Sequence, residues 1–211
     1  MSTRMLVAAA CLVAFLPIGA AAQQVGFGVK GGVSLGDLPA LDDAFDEPGV
    51  EGSRLVGYAV GGFLAFRFDN GFSIQPEVLY TQKGFKYDFG SDLMTSVHLR
   101  IRADYLDVPL LARYTFGKGV RGYVFGGPSL DFRVRATEKY GGGKAPETDI
   151  SDEVERFEFA LVVGGGIEFG PILLEARWSE GLTDIVADEA EDPPEKAIKT
   201  RTVMFLIGLR F

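Results

Sequence analysis

Apolar residues alternate with small or polar residues along three segments of the chain. These segments are residues 25–35, residues 157–169 and residues 201–211. Successive side chains of a β-strand point to opposite faces, so each segment would have one continuous apolar face. Segments of about ten residues with this alternation are typical of strands that face lipid in a membrane β-barrel.

Five further segments are predicted to be strands, which brings the total to eight. They are residues 55–68, 72–87, 99–116, 121–136 and 172–182. Long connections (36–53, 88–98, 137–156 and 183–200) alternate with short ones (69–71, 117–120 and 170–171). Short periplasmic turns and long external loops produce this alternation in outer-membrane barrels. The pattern predicts an all-β fold, an eight-stranded antiparallel up-and-down transmembrane barrel with both termini in the periplasm.

The fourth predicted strand changes parity in its middle. Apolar residues occupy odd positions up to Tyr105 and even positions from Leu106 onward. A β-bulge near Tyr105 and Leu106 would explain this change. Pro76, Pro109 and Pro128 lie inside predicted strands, where each must cost ladder hydrogen bonds because proline has no N–H.

Aromatic residues cluster at outward-facing strand positions next to the short turns and the chain termini. Such girdles mark the membrane interface of outer-membrane barrels, whereas a water-soluble barrel would gain nothing from a ring of exposed phenylalanines. Tyr80, Phe85 and Trp178 are expected at the opposite interface. The predicted girdle consists of Phe27, Phe66, Phe68, Phe72, Tyr114, Phe116, Phe169 and Phe211.

The first residues have the three-part layout of a secretory signal. Arg4 is followed by an apolar run over residues 5–18, and Ala20 and Ala22 are the small residues of a cleavage site. We predict a signal peptide over residues 1–22, with cleavage before Gln23, and a barrel domain over residues 23–211.

Removal of the signal would change the chemistry open to the protein. The single cysteine, Cys11, would leave with it, which excludes disulfides and thiolate ligands. Without Arg4 the 21 basic residues become 20 against 29 acids, a net charge of −9. This charge argues against nucleic acid as a partner. We expect contact with outer-membrane lipid, no cofactor and a monomeric state.

Several motifs carry a resemblance to a known family. They are QPEVLYTQKG at residues 75–84, YLDVPLL at 105–111, EARW at 175–178 and GLTDI at 181–185. Together they resemble the outer-membrane protein β-barrel domain family, often called porin-family or PorT-like proteins. The resemblance covers nearly all of the mature chain. It implies the fold and the outer-membrane location but no activity, and it implies that Phe211 is the C-terminal aromatic read by the barrel assembly machinery.

Charged residues of inward parity come from seven of the predicted strands. The interior of an eight-stranded barrel is just wide enough for side chains to fill, so these acids and bases are expected to pair as a structural network. The alternative is a narrow proton or ion path, or a gated pore. The inward set is Lys30, Glu77, Arg113, Arg133, Glu158, Glu168, Glu175, Arg177 and Arg210.

The only histidine, His98, is predicted to lie in the second long connection, near Asp92, Ser96 and Asp104. Lipid-modifying and proteolytic outer-membrane barrels carry His, Ser and acidic residues near the outer rim. No spacing here defines a catalytic triad, however. One histidine and no mature cysteine also make a transition-metal site unexpected.

The other three long connections hold most of the acidic residues. A solvated protein surface would explain these acidic residues. They could also bind divalent cations, which favour clustered carboxylates, or a basic partner. No fixed ligand spacing appears, so no metal site is predicted. Three functions stay open: a structural or interaction barrel, a narrow-pore porin or transporter, and a lipid-modifying enzyme using loop residues near His98. We expect the first, without catalysis.

Overall fold

The computed structural model describes residues 24–37, 50–89, 97–140, 147–149, 157–183 and 199–211, so the predicted signal peptide lies outside the described part. Within these ranges no helix is long and apolar enough to cross a membrane. The regular elements are strands. They are β1 Gln24–Asp37, β2 Val50–Arg67, β3 Phe72–Phe89, β4 Val97–Phe116, β5 Arg121–Tyr140, β6 Glu147–Asp149, β7 Phe157–Phe169, β8 Ile172–Gly181 and β9 Arg201–Arg210.

Eight long strands form a closed antiparallel barrel. Each pairs with its neighbour along the chain, and pairing of β9 with β1 closes the sheet. The short β6 was not predicted. It pairs with the end of β5, past the last residue of β5 that pairs with β7. The predicted eight-stranded barrel is confirmed, with β2 beginning at Val50 rather than residue 55 and β5 ending at Tyr140 rather than residue 136.

Three tight turns lie at one end of the barrel. Gly71 and Gly170 have φ angles of +85° and +56°, a region that suits glycine because it has no Cβ. In the first turn the side-chain oxygen of Asn70 also accepts a hydrogen bond from the Phe72 N–H at 3.1 Å. We call this end, which includes the start of β1 and the end of β9, the turn end. The opposite end is the loop end.

The register confirms a bulge near Tyr105, but its extra residue lies in β5 and not in β4. Asp104 pairs with Arg135 and Tyr105 with Arg133, so the extra residue is Val134 in β5. Strand β4 itself keeps its alternation, since Tyr105 is buried and Leu106 is exposed. The apolar positions change parity because the outer face of β4 is apolar only where it lies in the membrane belt.

Prolines interrupt the ladders where they were expected to. The pairing of β3 with β4 skips Glu77 and Val78, beside Pro109. The pairing of β4 with β5 skips Leu110 and Leu111, beside Pro128. A missing N–H explains both gaps.

The outer face of the barrel is a belt of exposed apolar side chains. Leu161 is 47% exposed and Ile207 57%, and valines, leucines and phenylalanines continue the belt around the barrel. Soluble monomers rarely expose a contiguous apolar surface of this kind. The belt is therefore the surface that meets lipid.

The eight predicted girdle residues lie at the turn end of this belt, each exposed or half-buried. Phe27 stacks on Phe211 with ring centroids 5.5 Å apart, and Phe72 lies 4.8 Å from Tyr114. Trp178 is exposed near the loop end. The side chain of Phe85 lies outside the described part. The role of all these aromatic residues at a membrane interface stays a prediction.

Candidate functional site in the barrel lumen

Halfway along the lumen, four charged residues form a closed ring of ion pairs. The Lys30 ammonium donates to Glu77 Oε1 at 2.8 Å and to Glu175 Oε2 at 3.0 Å. Arg177 donates from Nη2 to Glu77 Oε2 at 2.9 Å and from Nε to Glu175 Oε1 at 2.8 Å. All four side chains are buried. This middle cluster holds two cations and two anions, so its charge is balanced.

Nearer the turn end, one carboxylate is shared by three arginines. Glu168 Oε2 accepts from Arg113 and, at 2.6 Å, from Arg210, and its Oε1 lies 2.6 Å from Arg121 Nη2. The charge of Arg67 also interacts with that of Glu168, although the two side chains are not in contact. This turn-end cluster, Arg67, Arg113, Arg121, Arg210 and Glu168, therefore carries more positive than negative charge.

At the loop end the balance is reversed. The Lys83 ammonium lies 2.6 Å from Asp131 Oδ2, 3.5 Å from Asp107 Oδ1 and 3.9 Å from Glu158 Oε2, and 4.5 Å from the centre of the Tyr105 ring. Only the first distance is that of a strong hydrogen bond. The four charged side chains are buried. This loop-end cluster has three carboxylates for one ammonium.

Two side chains join the middle and turn-end clusters. Gln75 donates from Nε2 to Glu77 at 2.6 Å and accepts from Arg113 at 3.2 Å. The Tyr123 hydroxyl donates to Glu175 at 3.3 Å, and the Arg113 guanidinium lies 3.7 Å from the centre of the Tyr123 ring. The polar groups thus form one connected network through this part of the lumen, and connected networks of satisfied groups are rigid.

The apolar side chains of the lumen fill the space around these charges. Phe63, Leu111, Tyr123 and Phe125 belong to one buried cluster. Gly166 faces inward beside Tyr123, and a Cβ built on it would come within 2.6 Å of that ring. Glycine at this position therefore makes room for the aromatic ring.

Eight of the nine charged residues placed inside from sequence parity belong to these three clusters. Arg133, the ninth, pairs in register with the buried Tyr105, as its inward parity predicts. It is half-buried at the register shift beside Val134. The extra residue in β5 disturbs the alternation there, and the sequence of β5 gave no sign of it.

Sequence reasoning also missed five charged residues of the lumen. Three of them, Lys83 in β3, Asp107 in β4 and Asp131 in β5, lie at inward positions of their strands. A strict extension of the alternation along each strand would have identified them. Arg67 and Arg121 were missed because they occupy the last residue of β2 and the first of β5, where an alternating pattern has no further positions to support it.

The His98 prediction is corrected in its placement. His98 lies in β4, where its backbone pairs with Asp88. Strand β4 begins at Val97, whereas it was predicted to begin at residue 99. Its side chain lies outside the described part, as do Asp92 and Ser96. The fourth residue of the proposed group, Asp104, accepts a hydrogen bond from Gln82 at 3.0 Å.

Over the described ranges, no group of three or more His, Cys, Asp or Glu side chains is placed to hold a metal ion. The carboxylates of the middle cluster are each bound by cationic side chains. In the described part of the lumen, the charged side chains of the middle cluster therefore form interlocked ion pairs.

Comparison with known proteins agrees with this architecture. A family model described as outer membrane protein beta-barrel domain matches residues 21–187. Among solved structures, the chain is similar to Ail, the attachment invasion locus protein of Yersinia pestis, in complex with the heparin analogue sucrose octasulfate. The identity is 13%, the match covers 90% of this chain and 100% of that one, and the TM-score is 0.46.

Two more solved barrels show similar values. Neisserial surface protein A (NspA) is 13% identical over 89% of this chain and 97% of its own, with a TM-score of 0.43. OprG from Pseudomonas aeruginosa is 13% identical over 88% and 95%, with a TM-score of 0.40. A search of curated proteins found no match. Because the family model spans most of the sequence, this chain belongs to the outer membrane protein beta-barrel domain family.

Proposed function

We propose that this outer-membrane protein is a closed, non-conducting barrel with a structural or interaction role at the cell envelope. The observation that carries the proposal is the middle cluster, in which Lys30, Glu77, Glu175 and Arg177 join opposite walls of the lumen. A hydrated ion would have to break these buried pairs in order to pass. Breaking a buried ion pair costs about 3–5 kcal/mol.

Planar-bilayer recordings test the closed lumen. We expect the wild-type protein to give no resolved conductance steps. A variant with both Glu77→Ala and Arg177→Ala keeps the net charge of the lumen while removing side chains from its narrowest charged layer, and it is expected to conduct. Wild-type steps that grow with salt concentration would contradict the proposal and favour the narrow-pore alternative. If the wild type conducted as strongly as the variant, the current would bypass the middle cluster, and this result would also contradict the proposal.

We also propose that the turn end faces the periplasm and that the loop end, with its acidic connections, faces the cell exterior. Short turns on the periplasmic side are the rule for such barrels, and the three tight turns share one end here. In this orientation Phe211 is accessible to the periplasmic barrel assembly machinery, which we propose reads it.

Protease treatment of intact cells tests the orientation. Cleavage is expected within residues 38–49 or 184–198 and absent at residues 69–71 and 117–120. Opening the outer membrane should add no site in the first two ranges. Cleavage at the tight turns of intact cells, with the long connections protected, would show the opposite orientation.

A further inference from the structure

The turn-end mouth of the lumen holds an excess of positive charge. Four guanidinium groups, from Arg67, Arg113, Arg121 and Arg210, surround the single carboxylate of Glu168. The adjoining turns contribute Asp69 and Lys118, whose charges cancel and whose side chains are exposed. Among the described side chains of this mouth, positive charges therefore outnumber negative ones.

Glu168 binds three of the four arginines and does not contact Arg67. Its Oε2 is bound by Arg113 and Arg210 and its Oε1 by Arg121. Among the residues that the structure describes, Arg67 has neither an ion pair nor a hydrogen bond, and three of its electrostatic neighbours are the other arginines. Arg67 is half-buried, so its guanidinium is partly removed from water without a counter-charge in contact.

The position of Arg67 points to the kind of partner. It pairs in register with Gln24 on the inner face of β2. A Cβ built on Gly26 would lie 3.5 Å from Arg67 Nη2 and 3.6 Å from the main-chain oxygen of Phe211. Arg67 therefore lies at the rim, next to the stacked rings of Phe27 and Phe211. Arg121 is also at the rim, with its side chain 40% exposed.

We propose that the turn-end mouth binds a phosphate group, with Arg67 as its main ligand and the exposed donors of Arg121 beside it. Guanidinium groups present paired N–H donors that match the oxygens of a phosphate, and such charge-assisted bonds are about twice as strong as neutral ones. The phosphate comes either from a lipid headgroup, which the neighbouring aromatic girdle would place at this height, or from free phosphate.

Thermal unfolding of the full mature barrel in a zwitterionic detergent tests the site. Inorganic phosphate is titrated against sodium chloride at equal ionic strength, and phosphate is expected to raise the melting temperature with saturation. Arg67→Gln removes no ion pair, so the variant should fold, and it should weaken the apparent affinity about tenfold, as expected for one lost charge-assisted hydrogen bond. Lys118→Gln makes the same change of charge in an exposed turn at the same end and should leave the affinity unchanged.

The source of the phosphate is decided by a second arm. The same three proteins are inserted into vesicles of a galactolipid, which has no phosphate, with and without phosphatidylglycerol, and their melting temperatures are compared. Stabilisation by inorganic phosphate that depends on Arg67 supports a free anion, and stabilisation only by phosphatidylglycerol, with the same dependence, supports a lipid headgroup. The proposal is overturned if neither stabilises the wild type beyond the salt control, or if both variants lose the effect equally. None of these outcomes depends on whether the lumen conducts.

Discussion

Lys83→Met is expected to destabilise the folded barrel by about 3–5 kcal/mol, the cost of leaving buried charges without their partner. Lys83 is the cation of the loop-end cluster, and its loss would leave Asp107, Asp131 and Glu158 facing one another in a buried space. Methionine keeps most of the volume of the lysine stem, so the effect would report the charge and not a cavity. Urea unfolding in lipid vesicles measures it.

The matched control is Lys199→Met, which removes an exposed ammonium at the same end of the barrel. Surface substitutions of this kind usually change stability by less than about 0.5 kcal/mol. If Lys83→Met unfolded at the same urea concentration as Lys199→Met, the loop-end cluster would not depend on its ammonium, and the description of the lumen as a set of ion-paired layers would be wrong there.

Ile207→Arg is expected to cost about 2–4 kcal/mol, the penalty for arginine on the lipid face at the bilayer midplane. Ile207 is 57% exposed and lies on β9 halfway between Phe211 at the turn end and Val203, which pairs with Trp178. The expected result is a lower folded fraction after insertion into vesicles, measured by heat-modifiable migration on gels.

A second arginine variant separates membrane depth from simple loss of an apolar residue. Val134 is also an exposed apolar residue, 62% accessible, but it lies at the register shift toward the loop end. Val134→Arg should cost about 0–1 kcal/mol, as found near membrane interfaces. Equal losses for the two variants would mean that the belt does not mark the hydrocarbon core.

Local alternation predicted the strands and their faces because a period of two reports which side of a strand is apolar. Lys30 and Glu175 could be placed inside in this way. Their contact could not be predicted, because it depends on how β1, β8 and β9 are staggered around the closed sheet. Register across a barrel is a property of all its strands together.

The parts that sequence reasoning misplaced lie where the simple period fails. Val134 shifts the register of β5, whereas the bulge was predicted in β4. Arg67 and Arg121 stand at strand ends, where their side chains take part in the lumen although no pattern extends beyond them. The unmatched charge of the turn-end mouth is therefore visible only in three dimensions.

The order of the three clusters along the axis makes the lumen electrically polar. Its loop-end cluster has more acidic than basic side chains, its middle cluster equal numbers of both, and its turn-end cluster more basic than acidic ones. A cation drifting inward from the loop side would be attracted first and repelled at the far mouth, and an anion from the other side would meet the reverse sequence. Narrow low-dielectric passages strengthen such fields. In the closed barrel that we propose, side chains block the lumen for every solute, and the charges at its two ends oppose ions of each sign.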